Sequence, residues 1–280
     1  MRVLVVGAGA IGGYFGGRLA EVGRDVSFLV RPTRAEHLAR HGLQIVSQHG
    51  DACVRVRTLQ AGQIKELYDV VLIATKAYGL DQAIVDFGPA VGDHTVILPL
   101  LNGMRHMDVL STHFGPQRLL GGLCSIAATM DREGRVVQST VPVHEIVIGE
   151  LGGTTERVER IAELFKGAKC DARVSKTIVL DMWEKWTWLA TLAGITCLMR
   201  ASVGDIVAAP GGCAATLALL DEVTRVASAY GYQPRHEYLA YIRSLLTREG
   251  SPLTASMFRD IERGAEAEGE HVLGDLGSDA

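Results

Sequence analysis

The chain has no CxxC pair, no HExxH signature and no other cluster with metal-ligand spacing. Its five cysteines, Cys53, Cys124, Cys170, Cys197 and Cys213, are odd in number and widely spread through 280 residues. That excludes a disulfide framework and a thiolate zinc site, and no metal is expected. The pattern suits reduced, mostly buried thiols in a cytoplasmic protein. Basic charge is also lacking. Lys and Arg total 28 against 32 Asp and Glu, a formal net charge of −4, so no positive field attracts nucleic acid and no arginine-rich segment offsets that. No membrane partner is expected either. The opening MRVLVVGAGAIGG is apolar for only a few residues before it turns glycine-rich, which reads as a buried strand and turn rather than a signal peptide. Internal repeats, low-complexity tracts and biased linkers are absent. What remains is a globular mixture, 48% hydrophobic and 21% charged, of a length that points to two domains.

The first of these reads as alternating strand and helix. Val3–Val6 is a short β-branched strand, followed by GAGAIGG and a helical register through Tyr14, Phe15, Leu19 and Ala20. DVSFLVR (25–31) is a second strand, DVVLIATKA (69–77) a third and HTVILPLLNG (94–103) a fourth, with a helix over 81–91. Such alternation predicts a mostly parallel sheet with helices on both faces. Residues 118–130, 132–140 and 144–150 read as further strands extending the same sheet with an antiparallel portion. A helix over 154–169 and an extended 170–176 follow. Beyond that the pattern is helical, over 177–199, 211–230, 235–248 and 254–268. The expected organisation is a Rossmann-type, mostly parallel α/β domain at 1–174 and an all-helical carboxy-terminal domain at 175–280.

Gly7, Gly9 and Gly12 spell G-x-G-x-x-G between that first strand and helix. The first glycine permits the tight turn, the second lets backbone approach a pyrophosphate, and the third allows close helix–strand packing. The segment Gly7, Ala8, Gly9, Ala10, Ile11 and Gly12 is therefore the candidate dinucleotide cradle, with the diphosphate on the helix amino terminus. At the end of the second strand, where an acidic residue would hold a ribose 2′-hydroxyl, the chain has Arg31, then Pro32, Thr33 and Arg34. A guanidinium there suits a 2′-phosphate and points to NADP(H). A solvated surface arginine is the plainer reading. Lys76 and Asn102 lie just past the third and fourth strands, where open α/β sheets place ligands. Each alone admits a turn or surface reading, and together they favour a polar crevice. His106, Cys124 and His144 have no partner at a defensible spacing and read as structural or surface residues.

Lys185 stands in WEKWTWLATLAGI, a stretch that includes all three tryptophans. A charged head in apolar surroundings must reach water, find a partner or serve chemistry. It could snorkel, or pair with Asp181 four residues earlier, or act on a substrate.

These pieces together resemble the ketopantoate reductases (2-dehydropantoate 2-reductases), a family of NADPH-dependent enzymes on the route to coenzyme A. GAGAIGG is similar to the family fingerprint, Arg31 to its 2′-phosphate arginine, ATKAY to its V-K-x-x segment at Lys76, and LLNG to its Q-N-G at Asn102. WEKW resembles the W-x-K that places the catalytic lysine at Lys185. SMFRDIERGAEAE resembles S-M-x-x-D-x-x-x-G-R-x-T-E, with Ser256 at the substrate-binding serine and Asp260 at the aspartate. Glu268 falls on the acidic residue that helps organise catalysis and the cofactor. The resemblance implies hydride transfer from NADPH to the keto carbon of a small 2-keto acid. Lys185 would be general acid, and Asn102 and Ser256 would bind substrate.

The departures are specific. Leu189 and Ala193 stand where the family has asparagines, Gly194-Ile195-Thr196 where Pro-Leu-Thr is usual, and Ala265 and Ala267 where arginine and threonine are expected. The chain also ends soon after HVLGDL, so the resemblance implies a shortened carboxy-terminal end. A leucine cannot hydrogen-bond a substrate hydroxyl as an amide does. Two other functions therefore stand beside ketopantoate reduction: a reductase of a more apolar 2-keto acid, and a catalytically weak NADP(H)-binding sensor of the same fold. The long helices leave room for a homodimer.

Overall fold

The computed structural model describes residues 1–138, 144–153 and 155–277. The chain divides into two compact units, one of residues 1–101 and 106–178 and the other of 102–105 and 179–280.

In the first unit, β1 (Arg2–Val6), α1 (Ala10–Glu21), β2 (Asp25–Leu29) and α2 (Pro32–His41) form the opening repeat. Next come β3 (Leu43–Val46), β4 (Ala52–Val54), β5 (Arg57–Leu59) and β6 (Val70–Ile73), then α3 (Leu80–Phe87), β7 (Val96–Pro99) and α4 (Arg105–Phe114). The sheet of order β5-β2-β1-β6-β7 is parallel throughout. β1 and β6 are wholly buried except at Arg2, which is why both read as unbroken apolar runs.

The sequence places 118–130, 132–140 and 144–150 in that same sheet, and the structure corrects this. β8 (Gly121–Ile126) and β11 (His144–Gly149) pair antiparallel, and β12 (Asp171–Val174) joins β11 in parallel to make a separate three-stranded sheet. A single parallel bridge, Ile97 to Leu119, ties the β7 edge to the segment leading into it. β9 (Ala128–Met130) and β10 (Val136–Gln138) belong instead to a four-stranded sheet of order β4-β3-β10-β9. Residues 139 and 140 of the expected strand, and 154 of the expected helix, lie outside the described residues. That helix, α5, spans Glu156–Ala162 and ends in a short 3-10 turn, Glu163–Phe165.

α1 touches both larger sheets of this unit. A β-carbon on Gly16 would meet the Phe28 ring and Val5 Cγ2 at 2.8 Å, and one on Gly17 would meet Leu43 and Ile45 at 2.8 Å. The core around them includes Val3, Val5, Phe15, Leu19, Phe28, Leu43, Ile45 and Val136.

The second unit is helical: α6 (Ile178–Met199), α7 (Val203–Ala208), α8 (Gly212–Ala229), α9 (His236–Leu246) and α10 (Ser256–Glu262), then a π-helical turn at Glu270–Gly274. The helix expected over 254–268 is thus shorter. Gly264, at φ +68°, stops it, with the Gly264 N–H on the Ile261 carbonyl and the Ala265 N–H on that of Asp260. No helix among the described residues is long and apolar enough to cross a membrane.

Phe28 is 0% exposed and fills the seam between β2 and α1. Phe28→Ala is expected to lower the unfolding free energy by about 3–5 kcal/mol, read from urea denaturation. A loss below about 1 kcal/mol would show that α1 does not depend on this seam.

Candidate functional site

The fingerprint lies at the carboxyl end of β1. Gly7 sits at φ +94°, which only glycine adopts without strain. A β-carbon on Gly12 would fall 2.0 Å from the Gly7 carbonyl oxygen, so no larger residue fits there. Gly9 is the N-cap of α1, supplies no side-chain cap to the helix N–H groups, and has nothing within 4 Å of an added β-carbon. This leaves open space over the unpaired N–H groups of the α1 amino terminus. Thr75, just past β6, has its Oγ1 buried and without a hydrogen-bond partner beside Gly7. A tight turn and an open helix N-terminus are what a dinucleotide cradle requires, and the residues present fit one, with the unsatisfied Thr75 hydroxyl beside them.

Arg31 is exposed at the N-cap of α2, one residue past Val30, and among the described residues its side chain makes no hydrogen bond or ion pair. Arg34, one turn further on, is half-buried. Its Nε donates to the Ala8 carbonyl at 3.0 Å and its Nη1 to the Gly134 carbonyl at 2.8 Å. Burial lowers its pKa, and His37 is pushed down in turn by burial and by the Arg34 charge. The fingerprint turn is therefore clamped by a cation that the sequence shows only as a neighbour of Arg31. Its i+3 position from Arg31, on the first turn of a helix opened by Pro32, was the available signal. Lys76 is the N-cap of the short 3-10 turn Ala77–Gly79, three residues past β6. The fingerprint, Arg31 and Lys76 thus follow β1, β2 and β6, at the carboxyl edge of one parallel sheet and around its reversal of strand order.

The other candidates belong to the helical unit. Asn102 follows β7 in sequence, yet Asn102–Arg105 groups with the helices. Gly103, at φ +78°, lies so close to the π-helical turn that an added β-carbon would be 2.7 Å from the His271 carbonyl. Ser256 opens α10 on the exposed side, and the Ala255 N–H before it donates to Thr196 Oγ1 of α6 at 3.4 Å. Asp260 is partly buried one turn further on, and Glu268 is 6% exposed in the irregular segment after the helix.

Lys185 is partly buried on α6, between Trp183 and Trp186, which are both buried. Trp183 stacks on Tyr230 and Tyr232, and Trp186 Nε1 donates to the Val272 carbonyl at 2.9 Å. Asp181, the i−4 partner considered for Lys185, is held by Arg235 Nη2 instead. Among the described residues no side-chain hydrogen bond or ion pair to Lys185 occurs. On its face of α6, Leu189 is partly buried and Ala193 is 3% exposed within the helical core. Among the described residues no group of three His, Cys, Asp or Glu could hold a metal ion.

The family model described as ketopantoate reductase PanE/ApbA matches residues 3–153, and its C-terminal counterpart matches 177–278. The uncharacterized oxidoreductase YkpB of Bacillus subtilis is 39% identical over 279 residues, 99% of this chain and 91% of that protein. The crystal structure of 2-dehydropantoate 2-reductase from Geobacter metallireducens superposes with a TM-score of 0.90 at 28% identity, covering 99% of this chain and 92% of that one. D-mandelate dehydrogenase, in a ternary structure with NADH and anilino(oxo)acetate, shares the fold at a TM-score of 0.87 and 20% identity, covering 99% and 90%.

The two glycine positions separate folding from ligand approach. Gly12→Ala is expected to lower the urea midpoint, because its β-carbon meets backbone at 2.0 Å. Gly9→Ala is expected to leave the midpoint unchanged and to weaken dinucleotide binding, measured by calorimetry. Unchanged binding in Gly9→Ala would remove this turn from the cofactor site.

Proposed function

From a chain that belongs to the ketopantoate reductase family and is an oxidoreductase, we propose a more specific activity: reduction of 2-dehydropantoate to pantoate with NADPH. In this reading the amino-terminal unit holds the cofactor and the helical unit carries the substrate chemistry. Gly7–Gly12 receive the pyrophosphate, Arg31 takes the 2′-phosphate, and Lys76 contacts the nicotinamide side. A bound nicotinamide supplies a hydride to the keto carbon.

The chain's own residues do the rest. Lys185 Nζ donates a proton to the carbonyl oxygen as it becomes an alkoxide, so the keto acid gains one hydride and one proton to become the hydroxy acid. The Ser256 hydroxyl donates to the substrate carboxylate, the Asn102 amide orients the carbonyl or the cofactor amide, and the buried Glu268 carboxylate organises both. The observation that carries this reading is Lys185 itself: a lysine in an apolar helix whose in-register carboxylate is held by another residue.

A second reading is supported by Leu189 and Ala193. They give the Lys185 face of α6 apolar groups one and two turns on, in place of amides that would bind a hydroxyl. This favours a 2-keto acid with a branched or aromatic side chain.

NADPH oxidation with 2-dehydropantoate and with a panel of branched and aromatic 2-keto acids tests both. Lys185→Ala is expected to lower kcat by about 10²–10⁴-fold. Turnover by Lys185→Ala equal to that of the parent would end its role as general acid, and turnover of only apolar acids would select the second reading. Arg31→Ala is expected to weaken NADP(H) binding by about tenfold or more while leaving NAD(H) nearly unchanged, the loss of one charged hydrogen-bond partner. Equal loss for both cofactors would assign Arg31 elsewhere.

A further inference from the structure

Arg235 bonds two carboxylates of α6 that lie next to Lys185. Its backbone N–H donates to Glu184 Oε1 at 2.7 Å and its Nε to the same oxygen at 2.9 Å, while Nη2 pairs with both Glu184 and Asp181. Glu184 is 1% exposed and Asp181 7%, whereas the arginine is half in solvent. Asp181 and Glu184 are three apart and Asp181 and Lys185 four apart, so Asp181 faces both neighbours on the helix surface. An aspartate one turn amino-terminal to a lysine is the favourable order for an ion pair. In a partly buried setting that pair would form readily. It does not form here: Asp181 turns to Arg235 and the Lys185 ammonium has no partner among the described residues.

We propose that Arg235 is a positioning residue that withholds Asp181 from Lys185 and so keeps the lysine available to a substrate. The guanidinium satisfies two buried carboxylates at once through a planar fork, which a lysine could not do. Tyr238 on α9 and Tyr232 before it belong to the same neighbourhood. Burial, with the carboxylates of Glu184 and Asp181, holds the Tyr238 hydroxyl protonated, so it brings no competing negative charge. The catalytic part of this proposal rests on Lys185 acting as the proton donor.

Removing Arg235 alone would strand Glu184 without its counter-charge inside the protein, which often unfolds a domain. The test therefore uses Arg235→Met with Glu184→Gln, and the same pair with Asp181→Asn added, each checked by circular dichroism. The first readout needs no turnover: the rate at which a neutral-amine acylating reagent labels Lys185, followed by peptide mass spectrometry. With the Arg235 bond to Asp181 removed, labelling is expected to fall about tenfold, the effect of one opposite charge at contact distance, and to recover when Asp181 becomes Asn. A structural role for Arg235 would not produce that recovery. Equal labelling in the two variants and the parent would overturn the proposal. kcat for NADPH oxidation is expected to follow the same fall and recovery. Labelling that changes while kcat does not would overturn the catalytic part, and full turnover by Lys185→Ala would identify the failure as that of the general-acid reading.

Discussion

Helix α1 begins where it does because Gly12 carries no β-carbon, since one would lie 2.0 Å from the Gly7 carbonyl oxygen. That approach draws the helix onto the end of β1 and holds its amino-terminal N–H groups at the carboxyl edge of the parallel sheet. The same helix then meets the parallel sheet through Gly16 and the four-stranded sheet through Gly17. Small residues on both flanks let one helix serve two sheets. Arg18, on the same helix, is enclosed as a result, and it is kept soluble in the interior by Glu21 at 2.7 Å and the Gly50 carbonyl at 2.8 Å. The open turn and the buried arginine are consequences of one close contact.

The parallel sheet was legible because its strands are buried on both faces. Val3–Val6 and Val70–Ile73 announce themselves by composition without needing periodicity. The segments after residue 118 announced strands just as clearly but not their partners. β10 pairs in parallel with β3, ninety residues earlier, through only Val136–Ile45 and Val137–Val46. Strands as short as β9 and β10, three residues each, carry too little alternation to specify a partner, and sequence order alone suggests one sheet where packing makes separate ones. β3, β4 and β5, of four, three and three residues, are likewise too short to stand out in the sequence. The early end of α10 has a different cause: Arg263, Ala265, Glu266 and Ala267 are compatible with a helix, and only the left-handed Gly264 breaks it.

Of the candidate site, the turn was readable because each glycine answers a separate steric demand. Arg34 was not, because its role is to reach back to a backbone carbonyl, Ala8, and backbone acceptors leave no mark in a sequence. Asn102 could be placed at a strand end, but its grouping with the helices depends on Gly103 meeting the His271 carbonyl, 168 residues on. A pairing of Lys185 with Asp181 could be posed from the sequence alone, and what it missed was Arg235, fifty residues away, on that aspartate.

The Arg235 cluster is hard to explain as a stabilising device. A buried ion pair recovers through attraction roughly what it loses in desolvation, and apolar residues of similar volume often serve stability as well or better. α6 also has other anchors: Trp183 in an aromatic stack, Trp186 bonded to the Val272 carbonyl, and Thr196 accepting from the Ala255 N–H. A helix so fastened does not require two buried carboxylates in its first two turns. It does require something else if an unpaired lysine is to persist at residue 185, because an apolar face with a single charge attracts any carboxylate within reach. Asp181 is within reach by helix geometry alone. Binding it and Glu184 into one guanidinium turns that competitor away from Lys185. The cluster is thus better understood through the residue beside it than through the energy it contributes.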